Sequence, residues 1–170
     1  MGPMDDSTAG SDPRLMDLAP QPTVAARVQQ SFDQLDVGAL FGLHMSNVAD
    51  RIADLGGTPA GPPYARYHEF GPERADIEFG IPVASPVPNL RPLAECEPGE
   101  VGAGELPGGP AAITLHVGSY PGLGAAYERL QKWIPAHGHA PGVAPWESYI
   151  NDPTEVAEAD LRTEVIWPVS

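Results

Sequence analysis

Cysteine is almost missing from this chain. Cys96 stands alone among 170 residues, which excludes an internal disulfide and a thiolate metal cluster. Its neighbours Glu95 and Glu97 disfavour a thiolate, so a reactive nucleophile is not expected there. Basic residues are scarce as well. Nine Lys and Arg face 23 Asp and Glu, a formal net charge of −14. Such a surface repels phosphate backbones, so nucleic-acid binding is not expected, while cationic small molecules or a basic protein patch would be attracted. There is no run of 18 apolar residues, hence no expected transmembrane helix or membrane partner. The acidic stretch through Asp12 lacks the apolar centre of a signal peptide, and the expected location is the cytoplasm.

Proline and glycine are plentiful, with 21 and 19 residues, and they punctuate readable elements. Residues 1–20 read as a disordered tail, too short for a helix-turn-helix, so a direct transcriptional role is not expected. Thr23–Phe32 reads as a strand. Asp36 is placed to cap a helix whose apolar residues Val37, Leu40, Phe41, Val48, Ile52 and Leu55 recur at helical spacing until Gly56-Gly57. His44 lies beside that stripe and reads as a core or boundary histidine. Tyr64–Phe70 and Ala75–Val83 read as strands, and 85–109 as a connector holding at most one strand near Glu95–Val101. Ala111–Val117 alternates as a strand, and Pro121 opens a helix carrying Leu123, Ala126, Tyr127, Leu130, Trp133 and Ile134 at helical spacing. His137-Gly138-His139 ends that helix; without a third ligand at suitable spacing it reads as a C-terminal cap, and no metal is expected. Two last strands are expected at Ala144–Ile150 and Ala159–Val169.

The halves repeat: strand, helix, strand, strand, twice. PPYARYHE (62–69) lies over APWESYIN (144–151), and IEFGIPV (77–83) over TEVIWPV (163–169). Glu78 then overlays Glu164, and Pro82 overlays Pro168. The expectation is one α+β domain over 21–170, built as duplicated β-α-β-β units (21–84 and 110–170). Its antiparallel sheet would be curved, with the helices on one face and a ligand cleft between the halves.

The repeat singles out Glu147 in the segment APWESYINDP, because its counterpart is Ala65, whereas Tyr149 overlays Tyr67. Strand alternation sends Glu147 and Tyr149 to one face and Trp146, Ser148 and Ile150 to the other. If Trp146 and Ile150 face the helices, Glu147 and Tyr149 face the cleft. An acid held among aromatics suits cation binding or proton transfer.

The run HVGSYPGLGAAYERLQKWI, followed by PWESYINDP and LRTEVIWPV, resembles the GyrI-like small-molecule-binding domain. That family includes effector-binding domains of AraC- and MerR-type regulators and stand-alone proteins similar to the DNA gyrase inhibitor. The resemblance implies the duplicated fold and places the acid matched by Glu147 in the cleft, with Tyr120 and Tyr149 matching its aromatic partners. Expected ligand contacts are therefore Glu147, Tyr149, Trp146, Tyr67, Tyr120 and His116, with no cofactor. The leading expected function is binding of a hydrophobic, cationic small molecule of drug or antibiotic type. Hydrolysis of cyclopropane-bearing alkylating natural products, with Glu147 and Tyr120 catalytic, is the alternative the resemblance implies. Inhibition of gyrase through the acidic surface is a third.

Overall fold

A computed structural model describes residues 12–170 of the chain. Two compact units emerge, one of Ala19–Gly108 and one combining the described residues up to Leu18 with Gly109–Ser170.

In the first unit, β2 (Gln21–Ser31), helix α1 (Val37–Asp54), β3 (Tyr64–Phe70) and β4 (Arg74–Pro82) follow in the expected order. The fourth strand is β5 (Val101–Leu106), and the antiparallel order is β3-β4-β2-β5. Helix α1 starts where the sequence places it: the Asp36 carboxylate accepts from the Ala39 amide at 3.1 Å, satisfying one orphan donor of the first turn. It ends at Gly56, whose φ of +74° suits a residue without a Cβ. Val48 and Ile52 on α1 pack on Val24 and Ala26 of β2.

The second unit repeats this plan with β6 (Gly109–Val117), α2 (Leu123–Ala136), β7 (Trp146–Tyr149) and β8 (Arg162–Pro168). Its fourth strand is β1 (Arg14–Leu18), and the order is β1-β6-β8-β7. Leu123, Ala126, Leu130 and Ile134 of α2 cover Ala112, Val165 and Val169. His137 caps α2 as expected, stacked on Trp133 with Nδ1 donating to the Trp133 carbonyl at 2.9 Å.

The registers carry the repeat residue by residue. Ala65 faces Phe79 across β3 and β4, and Glu147 faces Val165 across β7 and β8. Thr23 faces Pro82, and Ala111 faces Pro168. The first two are the counterparts that overlaying 62–69 on 144–151 and 77–83 on 163–169 requires.

Two expectations need correction. The expected tail over 1–20 lies partly outside the described residues, but Arg14–Leu18 is a strand hydrogen-bonded along Gly109–Ile113. The stretch 85–109 is connector with one strand, as expected, but the strand is not near Glu95–Val101. Its strand falls at Val101–Leu106, later than expected, because glycines at 102 and 104 hide the alternation that marks a strand. Among the described residues, no helix is long and apolar enough to cross a membrane.

Candidate ligand site

Glu147 is 6% exposed. Two phenols donate to its carboxylate, Tyr127 to Oε2 at 2.7 Å and Tyr149 to Oε1 at 2.8 Å. A carboxylate buried to this degree requires donors, since an unsatisfied one carries a desolvation penalty of several kcal/mol. Tyr149 meets Tyr120 edge to face, with ring centroids 5.9 Å apart. Tyr127 meets Trp167 in the same manner at 6.0 Å. One acid thus sits within a cluster of three tyrosines and a tryptophan.

The side of the sheet on which this cluster lies differs from the expectation. Glu147 pairs with Val165, which belongs to the core beneath α2. It therefore shares the helix-covered face, and Tyr127 reaches it from the helix itself. Alternation separates Glu147 and Tyr149 from Trp146, as expected, but does not say which set the helix covers. The register with β8 decides that. Trp146 pairs with Ile166 on the opposite face and is itself 5% exposed. Ile150 lies past the end of β7 and is 45% exposed.

His116 also lies on the helix-covered face, opposite Thr163, which in turn lies opposite Tyr149. Its Nε2 donates to the Ser119 carbonyl at 2.8 Å, bracing the turn that carries Tyr120. Thr163 is fully buried and its hydroxyl has no hydrogen-bond partner. Tyr67 belongs to the other unit, where its ring packs on Phe70 at 5.3 Å. The structure therefore brings Glu147, Tyr149, Tyr120 and His116 onto one sheet face and adds Tyr127. Sequence reasoning treated Tyr127 as one more apolar position of the α2 stripe. The available signal was its place one residue after the core position Ala126, at the flank of the stripe nearest β7.

Burial, and then the charges of Asp152 and Glu147, push the Tyr120 phenol above its ordinary pKa of 10.0, so it remains a donor at neutral pH. Among the described residues no group of His, Cys, Asp and Glu is arranged to hold a metal ion.

Similar folds occur in proteins of distant sequence. The C-terminal domain of EcmrR superposes with a TM-score of 0.75 at 22% identity, over 94% of this chain and 97% of that domain. EcmrR solved in a complex with DNA gives 0.74 at 21% identity, and the match covers 94% of this chain but 57% of EcmrR. This chain thus spans little more than half of that regulator. A hydrolase from Listeria innocua matches with a TM-score of 0.63 at 12% identity, over 95% and 93% of the two chains. SAV2435, solved bound to tetraphenylphosphonium, matches at 0.58 and 16% identity, over 94% of each chain. At such identities the likeness is one of fold. No curated protein matches in sequence. Residues 13–170, which include both β-α-β-β units and the acid with its tyrosines, match one family along their whole length: the chain belongs to the GyrI-like small molecule binding domain family.

Proposed function

We propose that the protein binds a hydrophobic organic cation, with Glu147 as the counter-charge. The observation that carries this reading is the buried Glu147 carboxylate held by the hydroxyls of Tyr127 and Tyr149. Ionised, this carboxylate accepts from both phenols and offers a full counter-charge. In surroundings of low dielectric its attraction for a cation is several-fold stronger than in water. The rings of Tyr120, Tyr149 and Trp167 supply apolar faces whose quadrupoles favour a cation by about 0.5–2 kcal/mol each. The tetraphenylphosphonium bound by SAV2435 is a ligand of this chemistry.

The test is calorimetric titration with tetraphenylphosphonium and with neutral triphenylphosphine oxide. Glu147→Gln should weaken the cation about tenfold or more and leave the neutral compound nearly unchanged. Equal loss for both would remove the charge role of Glu147.

A second reading, hydrolysis of an electrophilic cyclopropane-bearing ligand, is favoured by Tyr120. Its hydroxyl stays protonated beside Tyr149 and is 37% exposed, so a donor for a developing negative charge stands next to a potential general acid or base. The reaction would add one water across the opened ring. Mass spectrometry of such a substrate incubated with protein reads this directly, and turnover no greater than that of Glu147→Ala would exclude the substrate class.

A further inference from the structure

The aromatic cluster around Glu147 has a counterpart in the first unit, and the repeat lets the two be compared position by position. Overlaying 62–70 on 144–152 puts Ala65 at the place of Glu147, Tyr67 at that of Tyr149 and Phe70 at that of Asp152. Thr23 and Ala111 face the equivalent prolines Pro82 and Pro168, so β2 and β6 run in step as far as Ser31 and Ser119. The next residue, Phe32 in one unit and Tyr120 in the other, opens a short 3-10 turn in both. Helix α1 starts at Val37 and α2 at Leu123, which sets Phe41 level with Tyr127. Four positions that carry an acid or a phenol in the second unit are therefore apolar in the first. Tyr67 keeps its hydroxyl.

These side chains assemble in the fold. Phe70 meets Phe32 edge to face with ring centroids 5.0 Å apart, and Tyr67 in the same manner at 5.3 Å. Phe41 meets Phe79 at 6.1 Å, and Phe79 faces Ala65 across β3 and β4. The turn between β3 and β4 fixes the outer rings. The Phe32 amide donates to the Glu73 carbonyl at 2.8 Å, and a Cβ at Gly71 would stand 3.2 Å from the Phe32 ring. Even so, Phe32 is 37% and Phe70 55% exposed. Rings that served only the core would be covered, whereas two phenylalanines braced beside an open turn form a preorganised apolar surface. The nearby charges are paired or lie in water. Glu69 is bound to Arg74 at 2.9 Å and Asp36 caps α1, while Asp33 and Glu73 are exposed. His44, stacked on Phe79, is held below its ordinary pKa of 6.5 by burial and is uncharged at neutral pH.

We infer that the first unit carries a second ligand site, for an uncharged aromatic compound, built on Phe32, Tyr67 and Phe70. A cation moved onto these rings loses hydration, and Ala65 stands where a carboxylate would replace it. A neutral ring gains the same edge-to-face contacts without that cost. The two units then divide ligands by charge, cations to Glu147 and neutral aryl groups to Phe70. The inference rests on reading the Glu147 cluster as a ligand site, since the overlay carries the site from one unit to the other.

Suitable matched probes are 2-naphthol, uncharged at neutral pH, and 2-naphthylmethylammonium, titrated into the full-length protein and followed by amide NMR. The naphthol should shift the amides of Phe32 and Phe70 saturably, and the ammonium those of Tyr120 and Tyr149. Phe70→Ala should weaken the naphthol about tenfold and leave the ammonium unchanged. Phe32→Ala, a second exposed change, should act in the same way, and Glu147→Gln should do the reverse. No saturable shift at Phe32 and Phe70 with millimolar naphthol would overturn the site. So would equal affinity of the ammonium there, or naphthol binding indifferent to both alanine changes. Failure of the ammonium at Tyr120 and Tyr149, with the naphthol still bound at Phe70, would count against the charge role of Glu147 and still support this second site.

Discussion

Tyr127 on helix α2 and Glu147 on strand β7 are joined by a 2.7 Å hydrogen bond across the interior of their unit. The helix thereby presents a donor to the acid that distinguishes this half of the repeat from the other.

Removing that donor should be felt in stability before any ligand is added. Hydrogen bonds to charged groups contribute about 1.5–3 kcal/mol, so Tyr127→Phe should lower the unfolding free energy by roughly that amount. In a Glu147→Gln background the same change should cost much less. Urea denaturation of the four proteins of this cycle measures the coupling, and additive losses would show the bond to be energetically idle.

Gly80 should tolerate no side chain. A Cβ there would stand 2.6 Å from the Tyr64 hydroxyl, and Tyr64 is 1% exposed within a fixed hydrogen-bond chain. Overpacking of this kind costs about 1–3 kcal/mol, so Gly80→Ala should reduce the urea midpoint accordingly. Adding Tyr64→Leu should recover part of the lost packing energy, which simple additivity would not allow.

Acid should weaken the fold from near neutrality downward, through His44. This histidine is 8% exposed, stacked on Phe79, and its Nδ1 has no hydrogen-bond partner. Burial lowers its pKa below the ordinary 6.5. As pH falls through 6.5 the unfolded chain takes up the proton first, so stability declines until the lowered folded value is passed. His44→Leu should flatten the stability profile in that window, and an unchanged slope would assign it elsewhere. A second loss belongs to stronger acid. Burial raises the Asp76 pKa, but Arg27 and Gln29 more than offset it and hold it below 3.8, so this contribution disappears only as pH falls through that lowered value.

Deleting residues 1–18 should destabilise the unit to which β1 belongs. The loss includes five cross-strand pairs on β6, worth roughly 0.2–1 kcal/mol each. Hydrogen exchange should accelerate most in the backbone of β6, and uniform protection with and without the segment would contradict a stabilising role for β1.

Much of this architecture could be read from the residues because its signals are local. Asp36, Gly56 and Pro121 mark helix ends by capping and backbone chemistry, and the apolar spacing of α1 and α2 survives intact. The overlay of Glu78 on Glu164 and of Glu147 on Ala65 was legible too, since duplicated registers preserve sequence spacing. Non-local facts were not. Arg14–Leu18 resembles a polar tail because an edge strand needs no buried stripe, and its residues through Asp17 are exposed. The side on which Glu147 lies depends on its pairing with Val165, which no window of β7 contains. Tyr64 and Glu78 meet only when β3 and β4 are aligned.

The two outer strands carry a consequence for how the halves are tied. Leu18 pairs with Gly109, and Leu106 pairs with Gln21, so the strand just before each β-α-β-β unit completes the sheet of the other. The chain has the topology of two intertwined subunits, each lending its leading strand, fused into one polypeptide. A protease cut within residues 83–100, between β4 and β5, should therefore not release two independent pieces. The fragments should co-elute under native conditions and separate only in denaturant, because each half remains threaded through its partner by a borrowed strand.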